Sequence, residues 1–452
     1  MKAYESYKNV DLPWLKRVPE HWEIASLARV AKEQKIKKPK GEHFQVLSLS
    51  YGKIIKKKDI NFGLVPKDYD NYQLLHPGNI VLRFTDLQND HKSLRTGLVT
   101  QQGIITSAYV CIDPIENPAY IHYLLHHYDT IKLFYGMGNG IRQSIGYKDI
   151  SDMRIPVPPK KEQDQIVRYL DWQNSRLNKL INAKKKEIAL LEEQKQALIS
   201  QAVTKGLDPN APLKDSGIDW IGQIPEHWKK SKLKQCTTFL PLFDHNNISI
   251  DTVVTFTPME CIKSGYFIPS TAKLADMKQY TYYGEGDVII AKVSPCFENG
   301  NIAIMRGLSS GIGFGSSELF VYRPIHINTD FLFFWLQNHN FKQKAKSTMT
   351  GTGGLKRVSA SFMKSSPIYI PPLNEQKLIV NYLYDQCAII DNLVITINKT
   401  ISLLQEYRTR LVADVVTGQI DVRHIAIPNY ETVTETIDQP EAAKDETNTT
   451  EE

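Results

Sequence analysis

The sequence lacks the features that mark exported and membrane proteins. Its five cysteines are an odd number and include no Cys-x-x-Cys pair, which argues against a disulfide framework or a zinc knuckle. No uninterrupted apolar run reaches the roughly 18 residues that a membrane helix requires, and the N-terminus lacks the apolar core of a signal peptide. The sequence therefore predicts a cytoplasmic protein that does not span a membrane.

Motifs for common catalytic sites are also missing. The chain contains no G-x-x-x-x-G-K-[ST] phosphate loop, no G-x-S-x-G, no H-E-x-x-H and no paired carboxylates. His21 and His227 each stand in a Pro-Glu-His-Trp block without another Cys or His beside them, so we interpret the adjacent Trp22 and Trp228 as buried anchors. We expect no catalytic residue, no metal ligand and no cofactor in this chain.

One glycine pattern resembles a cofactor loop but lacks its setting. Residues 134–138 read F-x-G-x-G, as in many S-adenosylmethionine-dependent DNA methyltransferases. Such a loop should follow a buried strand, whereas a helix-like segment, residues 123–133, precedes this one. The corresponding residues 347–351 do not keep the pattern. A catalytic DNA methyltransferase or a fused restriction enzyme that uses this loop is the alternative to a non-catalytic chain.

The charge of the chain is unevenly distributed. Residues 428–452 contain eight acidic residues and one lysine, a net charge of −7. Because the whole chain carries +6, residues 1–427 carry +13. The basic body indicates a polyanionic partner such as nucleic acid. The acidic, threonine-rich end, taken as residues 424–452, is predicted to be a disordered tail.

The most prominent feature present is a long helical pattern that occurs twice. One copy opens at Pro158 with P-P-K-K-E-Q and the other at Pro371 with P-P-L-N-E-Q, and adding 213 to a position in the first gives its counterpart in the second without a gap. The early glutamate suits the positive N-terminus of a helix. About 40 residues at 1.5 Å each make a rod of roughly 60 Å. Two core helices of one large domain are the alternative interpretation.

Apolar residues recur in both copies at alternating steps of four and three, which is typical of a coiled coil. The gap-free repeat indicates that each helix pairs with the other copy. The predicted seam consists of Leu170, Leu177, Ile181, Ile188, Leu191 and Leu198 in the first helix and of Leu383, Ile390, Val394, Ile397, Ile401, Leu404 and Leu411 in the second.

The repeat extends beyond the helices and divides the chain. Short strand-like segments with Gly, Pro and Asn between them precede each helix, which predicts a mixed α/β domain in each half. The middles of the two halves differ greatly in sequence, which indicates a common scaffold with two different recognition surfaces. The predicted boundaries are 1–157 for the first α/β domain, 158–212 for the central helix, 213–370 for the second α/β domain, 371–423 for the C-terminal helix and 424–452 for the tail.

Basic and polar side chains suited to binding phosphates or reading base edges lie in these divergent middles and after two glycine turns. Solvated surface lysines and scaffold turns are the competing explanations. The candidates are Lys53, Lys56, Lys57, Lys58, Arg83, Arg142 and Gln143 in the first half and Lys292, Ser294, Asn299, Asn301, Arg306, Lys356 and Arg357 in the second.

Taken together, these motifs resemble the specificity (S) subunit of type I restriction-modification enzymes. The resemblance rests on the paired Pro-Glu-His-Trp entries, the paired P-P-x-x-E-Q helices and the segment P-C-F-E-N-G at residues 295–300, and it covers residues 12–423. The first half departs from the last motif and reads D-L-Q-N-D at residues 86–90. Residue roles therefore do not transfer to that loop.

The resemblance implies two α/β target recognition domains, each followed by a long helix, with the two helices forming an antiparallel coiled coil. Each domain would read one half of an asymmetric bipartite site in double-stranded DNA. Two modification subunits would supply S-adenosylmethionine and adenine methylation, and two restriction subunits would supply ATP- and Mg²⁺-dependent translocation and cleavage. A coiled-coil scaffold that never touches DNA is the third possibility.

The antiparallel arrangement makes one further prediction. Arg408 and Lys195 interrupt the two seams at the same register position. In an antiparallel pair they lie towards opposite ends, so each must find a partner other than its counterpart.

Overall fold

The structure is a computed structural model that describes residues 2–50, 52–57, 69–85, 87, 94–137, 145–244, 248–352 and 355–436. The chain divides into two compact units. Unit 1 comprises Met1–Lys185 and Asn398–Glu452, and unit 2 comprises Lys186–Ile397. Both are mixed α/β structures, as the sequence predicts.

Unit 1 is built on an antiparallel four-stranded sheet with the order β4-β11-β8-β9. Shorter pairs, β1 with β2, β3 with β12, β5 with β6 and β7 with β10, surround it. The elements are β1 (Tyr7–Leu12), β2 (Leu15–Pro19), β3 (Glu23–Ser26), α1 (Leu27–Val30), β4 (Ala31–Gln34), β5 (Leu47–Ser50), β6 (Lys53–Lys56), β7 (Gln73–Leu75), β8 (Ile80–Leu82), β9 (Thr96–Leu98), β10 (Gly103–Ile105), β11 (Val110–Pro114), α2 (Pro118–Thr130), α3 (Tyr147–Ile150) and β12 (Arg154–Val157).

Unit 2 repeats this frame in the sheet β16-β23-β20-β21. Its second four-stranded sheet, β18-β17-β22-β19, corresponds to the pairs β6-β5 and β10-β7 of unit 1, which a parallel bridge between Val46 and Ile104 joins. Strands β13 with β14 and β15 with β24 form the flanking pairs. The elements are β13 (Leu213–Asp215), β14 (Gln223–Pro225), β15 (Lys229–Lys232), α5 (Leu233–Cys236), β16 (Thr237–Phe239), β17 (Val253–Thr257), β18 (Ser270–Lys273), β19 (Thr281–Gly284), β20 (Val288–Ala291), β21 (Ile302–Ile304), β22 (Ile312–Gly315), β23 (Leu319–Pro324), α6 (Thr329–Leu336), α7 (His339–Lys346), α8 (Ala360–Ser365) and β24 (Pro367–Ile370).

The two long helices are α4 (Lys160–Lys205) and α9 (Leu373–Val416). Hydrophobic residues near both ends of each helix are buried in the domain cores, because those turns supply apolar side chains to the sheets and short helices. None of the thirteen predicted seam residues is exposed. Of the described helices, α9 is long and apolar enough to cross a membrane by length and composition alone, and a single such helix is weak evidence for a membrane span.

In unit 1, a buried glutamate joins the start of the first domain to the start of α4. Glu162 accepts hydrogen bonds from Trp22 Nε1 at 2.9 Å and from the Tyr4 hydroxyl at 2.6 Å, and its second oxygen lies 2.7 Å from His21 Nε2. Since a buried carboxylate is unfavourable without hydrogen-bonding partners, these three side chains explain why glutamate occupies this position.

Unit 2 uses the same arrangement with one partner fewer. Glu375 accepts from Trp228 Nε1 at 3.0 Å and lies 2.7 Å from His227 Nε2. The glutamine that follows in each motif, Gln163 or Gln376, accepts from the backbone N–H of the N-cap residue of α2 or α6. The repeated P-P-x-x-E-Q motif therefore binds each long helix to its own domain, and both tryptophans are buried as predicted.

Residues 329–346 of unit 2 form two short helices, α6 and α7, instead of one. Asn338 separates α6 from α7, because its side-chain oxygen accepts hydrogen bonds from the backbone N–H groups of Asn340 and Phe341 and so begins a new helix. The corresponding part of unit 1 is the uninterrupted α2, which is capped by Asn117.

The predicted disorder of the tail is wrong for residues 424–436. This segment has no helix or strand, but its backbone is hydrogen-bonded to polar side chains on α4. Composition predicts disorder because the segment buries little apolar surface by itself. A prediction from composition does not include the polar side chains of α4 that bind the segment. Residues 437–452 lie outside the described part of the chain.

Candidate nucleic-acid interface

Four of the predicted DNA-binding residues of unit 2 lie together beside the end of β20. Lys292 follows this strand directly, and its carbonyl accepts from the backbone N–H of Val358 at 2.9 Å. Ser294 N donates to the Lys356 carbonyl at 2.8 Å, while the Ser294 hydroxyl accepts from Lys356 N at 3.0 Å. These bonds hold two loops side by side and define the unit 2 basic cluster: Lys292, Ser294, Lys356 and Arg357.

Glu318 organises the charged side chains of the unit 2 basic cluster. Arg357 donates two hydrogen bonds of 2.9 Å to its carboxylate, and Lys292 Nζ lies 3.9 Å from the same group. The hydrogen bond from Arg357 holds the pKa of Glu318 below its usual value, against a smaller opposing effect of burial. One carboxylate thus faces two cationic side chains, and Lys356 adds a third positive charge to the cluster, which leaves it positively charged and suited to phosphate binding.

The other three candidates of unit 2 are placed differently. Asn299 is exposed in the loop after Ser294, and Asn301 pairs through its backbone with Ala291, next to Lys292. Arg306 instead makes two hydrogen bonds of 2.8 and 2.9 Å to Asp330, in the first turn of α6.

In unit 1, the described candidates lie on two separate elements. Lys53 and Lys56 are exposed at the two ends of β6, and Lys57 follows them. Arg83 follows β8, as Lys292 follows β20. The remaining three candidates, Lys58, Arg142 and Gln143, lie outside the described residues, as do the glycines at 138–140.

Sequence reasoning missed Arg95, which shapes the loop after β8. Its guanidinium is completely buried and donates to the carbonyls of Arg83 at 3.0 Å and Thr85 at 2.8 Å and to the Tyr135 hydroxyl at 3.0 Å. Arg95 precedes β9 as Asn301 precedes β21. An alignment of these two strands in the sequence could have identified Arg95.

The setting required by the methyltransferase alternative is not observed in the described residues. Residues Leu133–Gly136 form a short 3-10 helix after α2, and no strand leads into it. Across the described ranges, no group of three or more His, Cys, Asp or Glu side chains is placed to hold a metal ion. Burial lowers the pKa values of His122 and His126 to about 3 and about 4, so both rings are neutral at physiological pH, and they line a cavity together with Arg408.

Comparison with known proteins identifies related sequences. A family model described as the type I restriction modification DNA specificity domain matches residues 66–190 and 225–403. The specificity subunit of the type I restriction enzyme EcoAI of Escherichia coli is 34% identical over 193 residues, which are 41% of this chain and 32% of that protein. The chain therefore matches about a third of the length of that relative.

Longer similarities extend over almost the whole chain. The specificity subunit of the type I restriction enzyme MjaVIII of Methanocaldococcus jannaschii is 24% identical over 423 residues, 90% of this chain and 95% of that protein. A solved chain from work on the assembly and conformational transition of a type I R-M system has a TM-score of 0.65 at 16% identity and covers 89% of this chain and 99% of its own length. At this identity the structural similarity concerns the fold alone.

Proposed function

The chain belongs to the type I restriction modification DNA specificity domain family, and we propose that it is the non-catalytic subunit that reads DNA for a type I restriction-modification complex. One observation carries the proposal. The sheet order β4-β11-β8-β9 of unit 1 recurs as β16-β23-β20-β21 in unit 2, and the pairs β6-β5 and β10-β7, joined by a parallel bridge between Val46 and Ile104, correspond to the second sheet β18-β17-β22-β19. The residues on corresponding strands differ, as in K-I-I-K of β6 and S-T-A-K of β18. The two units thus share a frame but differ in the residues on their surfaces, which suits the two halves of an asymmetric bipartite site.

The long helices are proposed to form an antiparallel coiled coil that sets the distance between the half-sites. In unit 1, Arg408 donates to the Asn178 side chain at 3.0 Å, and in unit 2, Lys195 donates to Asp391 at 2.7 Å. The two residue numbers of each pair add to the same total, as antiparallel pairing requires. The two basic seam residues have thus each found a partner other than their counterpart.

The same helices are proposed to carry two modification subunits, with two restriction subunits joining the complex. S-adenosylmethionine, ATP and Mg²⁺ then belong to those partners. Apolar side chains on one face of α9 in unit 2 support a protein partner, because Leu378, Ile389 and Leu393 are 63%, 55% and 47% exposed and their spacing of 11 and 4 residues puts them on the same side of the helix. A row of exposed apolar residues on a helix is typical of a surface that another helix covers.

Replacing Arg357 by alanine tests the DNA-reading role of the unit 2 basic cluster. Loss of one charged contact should weaken binding to the cognate duplex about tenfold and lower the slope of log affinity against log salt by about one. Fluorescence anisotropy with a labelled duplex over a range of salt concentrations measures both quantities.

Arg306→Ala is the matched control, since it removes the same charge from the same domain and from a side chain that is likewise paired with a carboxylate, Asp330, but lies outside the unit 2 basic cluster. We expect it to change the affinity less than about twofold. Equal losses for the two variants would contradict the placement of the interface at the cluster. Weak binding of the parent protein to every duplex, cognate or not, would favour a scaffold that does not bind DNA.

A further inference from the structure

The tail strap, which we define as residues 431–436, lies along one face of α4. Six hydrogen bonds of 2.6–2.9 Å hold it there, and every one of them reaches the backbone of the strap. The side chains on α4 that make them are Ser175, Asn178, Asn182 and Lys185. The spacing of three or four residues puts these side chains on the same helix face.

This backbone-binding row belongs to the first helix alone. At the corresponding positions of α9, 213 residues later, the sequence has Ala388, Asp391, Ile395 and Asn398. The seam residues of the two helices match in the repeat, but the strap-binding residues do not. The row therefore serves the strap and is not a general requirement of the helix.

Glu435 fixes the end of the strap. Its carboxylate accepts from Arg408 at 2.7 Å and from Gln405 at 3.0 Å and lies 3.7 Å from Lys185 Nζ. Burial raises the pKa of Glu435, but the hydrogen bond and charge of Arg408 outweigh it and hold the pKa below its usual value. The strap thus stays anchored at neutral pH.

The strap ends next to basic residues of the first domain. Glu435 and Lys53 line the same cavity of about 580 Å³ within unit 1. Lys53, Lys56 and Lys57, on and just after β6, have no acidic partner among the residues that the structure describes. The anchored strap therefore shares a cavity with a basic strand of the same unit.

The sequence that follows the strap has the opposite charge. Residues 437–452, the acidic extension, contain six acidic residues and one lysine, a net charge of −5. Sixteen residues can reach at most about 50 Å at roughly 3.3 Å each, so the basic residues of β6 are within range of a chain anchored on the rim of their own cavity.

We propose that the acidic extension binds the basic residues of β6 and competes there with the DNA backbone. The inference rests on the proposed function, because it takes β6 as part of the DNA-binding surface. A short tether gives an effective concentration in the millimolar range, so even a weak electrostatic contact displaces loosely bound, nonspecific duplex. Cognate duplex binds with additional base contacts and is displaced less.

Truncation after Thr436 is the test, because it removes the acidic extension and keeps the strap. At about 50 mM salt, the truncated chain should bind a nonspecific duplex about 3- to 10-fold more tightly than the full chain, given a tether in the millimolar range. At about 300 mM salt the difference should fall below about twofold, since ions screen exposed charges. Anisotropy titrations of both proteins at the two salt concentrations measure the ratio.

Two full-length control variants distinguish the effect of the charge of the extension from the effect of its bulk. Neutralising the extension with D438N, E441Q, D445N, E446Q, E451Q and E452Q should reproduce the truncated chain, whereas a shuffled extension with all its charges should behave as the parent. When K53Q and K56Q are introduced into both the full and the truncated chain, the ratio of the two affinities should move towards one, because the binding partner of the extension is then lost.

Equal affinities of the full and truncated chains at low salt would overturn the inference, as would continued inhibition by the neutralised extension. Neither result touches the proposed function. That function fails separately if the truncated chain shows no preference for any duplex sequence.

Discussion

Replacing Glu162 by alanine is expected to destabilise unit 1 by about 3–5 kcal/mol, because it leaves several buried donors without an acceptor at about 1–3 kcal/mol each. Trp22 Nε1 and the Tyr4 hydroxyl both donate to this carboxylate, and His21 contacts its second oxygen. Glu162 itself is 6% exposed, so water cannot readily replace the lost carboxylate. Hydrogen exchange on the full chain should show lower protection throughout residues 15–26.

Two further variants should destabilise the protein less than Glu162→Ala. Glu162→Gln keeps one side-chain acceptor and should cost about half as much as alanine. Glu375→Ala removes the corresponding carboxylate of unit 2, which is 26% exposed and has two partners among the described residues, Trp228 and His227. It should therefore destabilise unit 2, and by less than Glu162→Ala destabilises unit 1. If Glu162→Ala leaves exchange in unit 1 unchanged, the contacts of Glu162 are not what fixes the first domain to α4.

Lengthening both long helices by one heptad is expected to change the spacer of the recognised DNA site by about three base pairs, because seven residues add about 10.5 Å to the coiled coil. Residues 189–195 and 391–397 are the segments to duplicate. Lys195 and Asp391 pair within them, so the duplication repeats a matched segment and keeps the seam in register. Binding to the original site should fall by more than about a hundredfold, while selection from a duplex library should recover the same half-sites at the new spacing.

A one-sided insertion is the control for the heptad variant. Two extra residues in α9 alone turn the rest of its seam by about 200° and should weaken binding to every spacing, because apolar residues would then face water. If the double-heptad protein still prefers the original spacer, the helices do not set the distance between the half-sites.

Features of the fold that depend on local or periodic patterns could be predicted from the sequence. The mixed α/β frame and the extent of the long helices follow from patterns that lie within a few tens of residues. The 213-residue offset also located both glutamates at the helix starts. Their partners could not be found in this way, since the Pro-Glu-His-Trp block lies about 140 residues before Glu162 and the repeat shows that two motifs recur without showing that they touch.

The candidate DNA-binding residues show the same limit. Lys292 and Arg357 were identified by type and loop position, yet only the fold brings them to one carboxylate, Glu318. Arg306 satisfied the same criteria and lies against Asp330 instead. The tail strap was missed because the disorder prediction considers the composition of the segment, whereas its stability comes from a polar row on α4 more than 240 residues earlier.

The central claim is that each half of the chain reads one half of a bipartite site. Exchanging residues 230–350 for the corresponding segment of another family member, and mapping methylated adenines across the genome of cells that carry each version, tests it most directly. Cells without the chain provide the baseline. The account predicts that one half of the methylated sequence changes while the other half and the spacer stay the same. A change in both halves, or in neither, would contradict it.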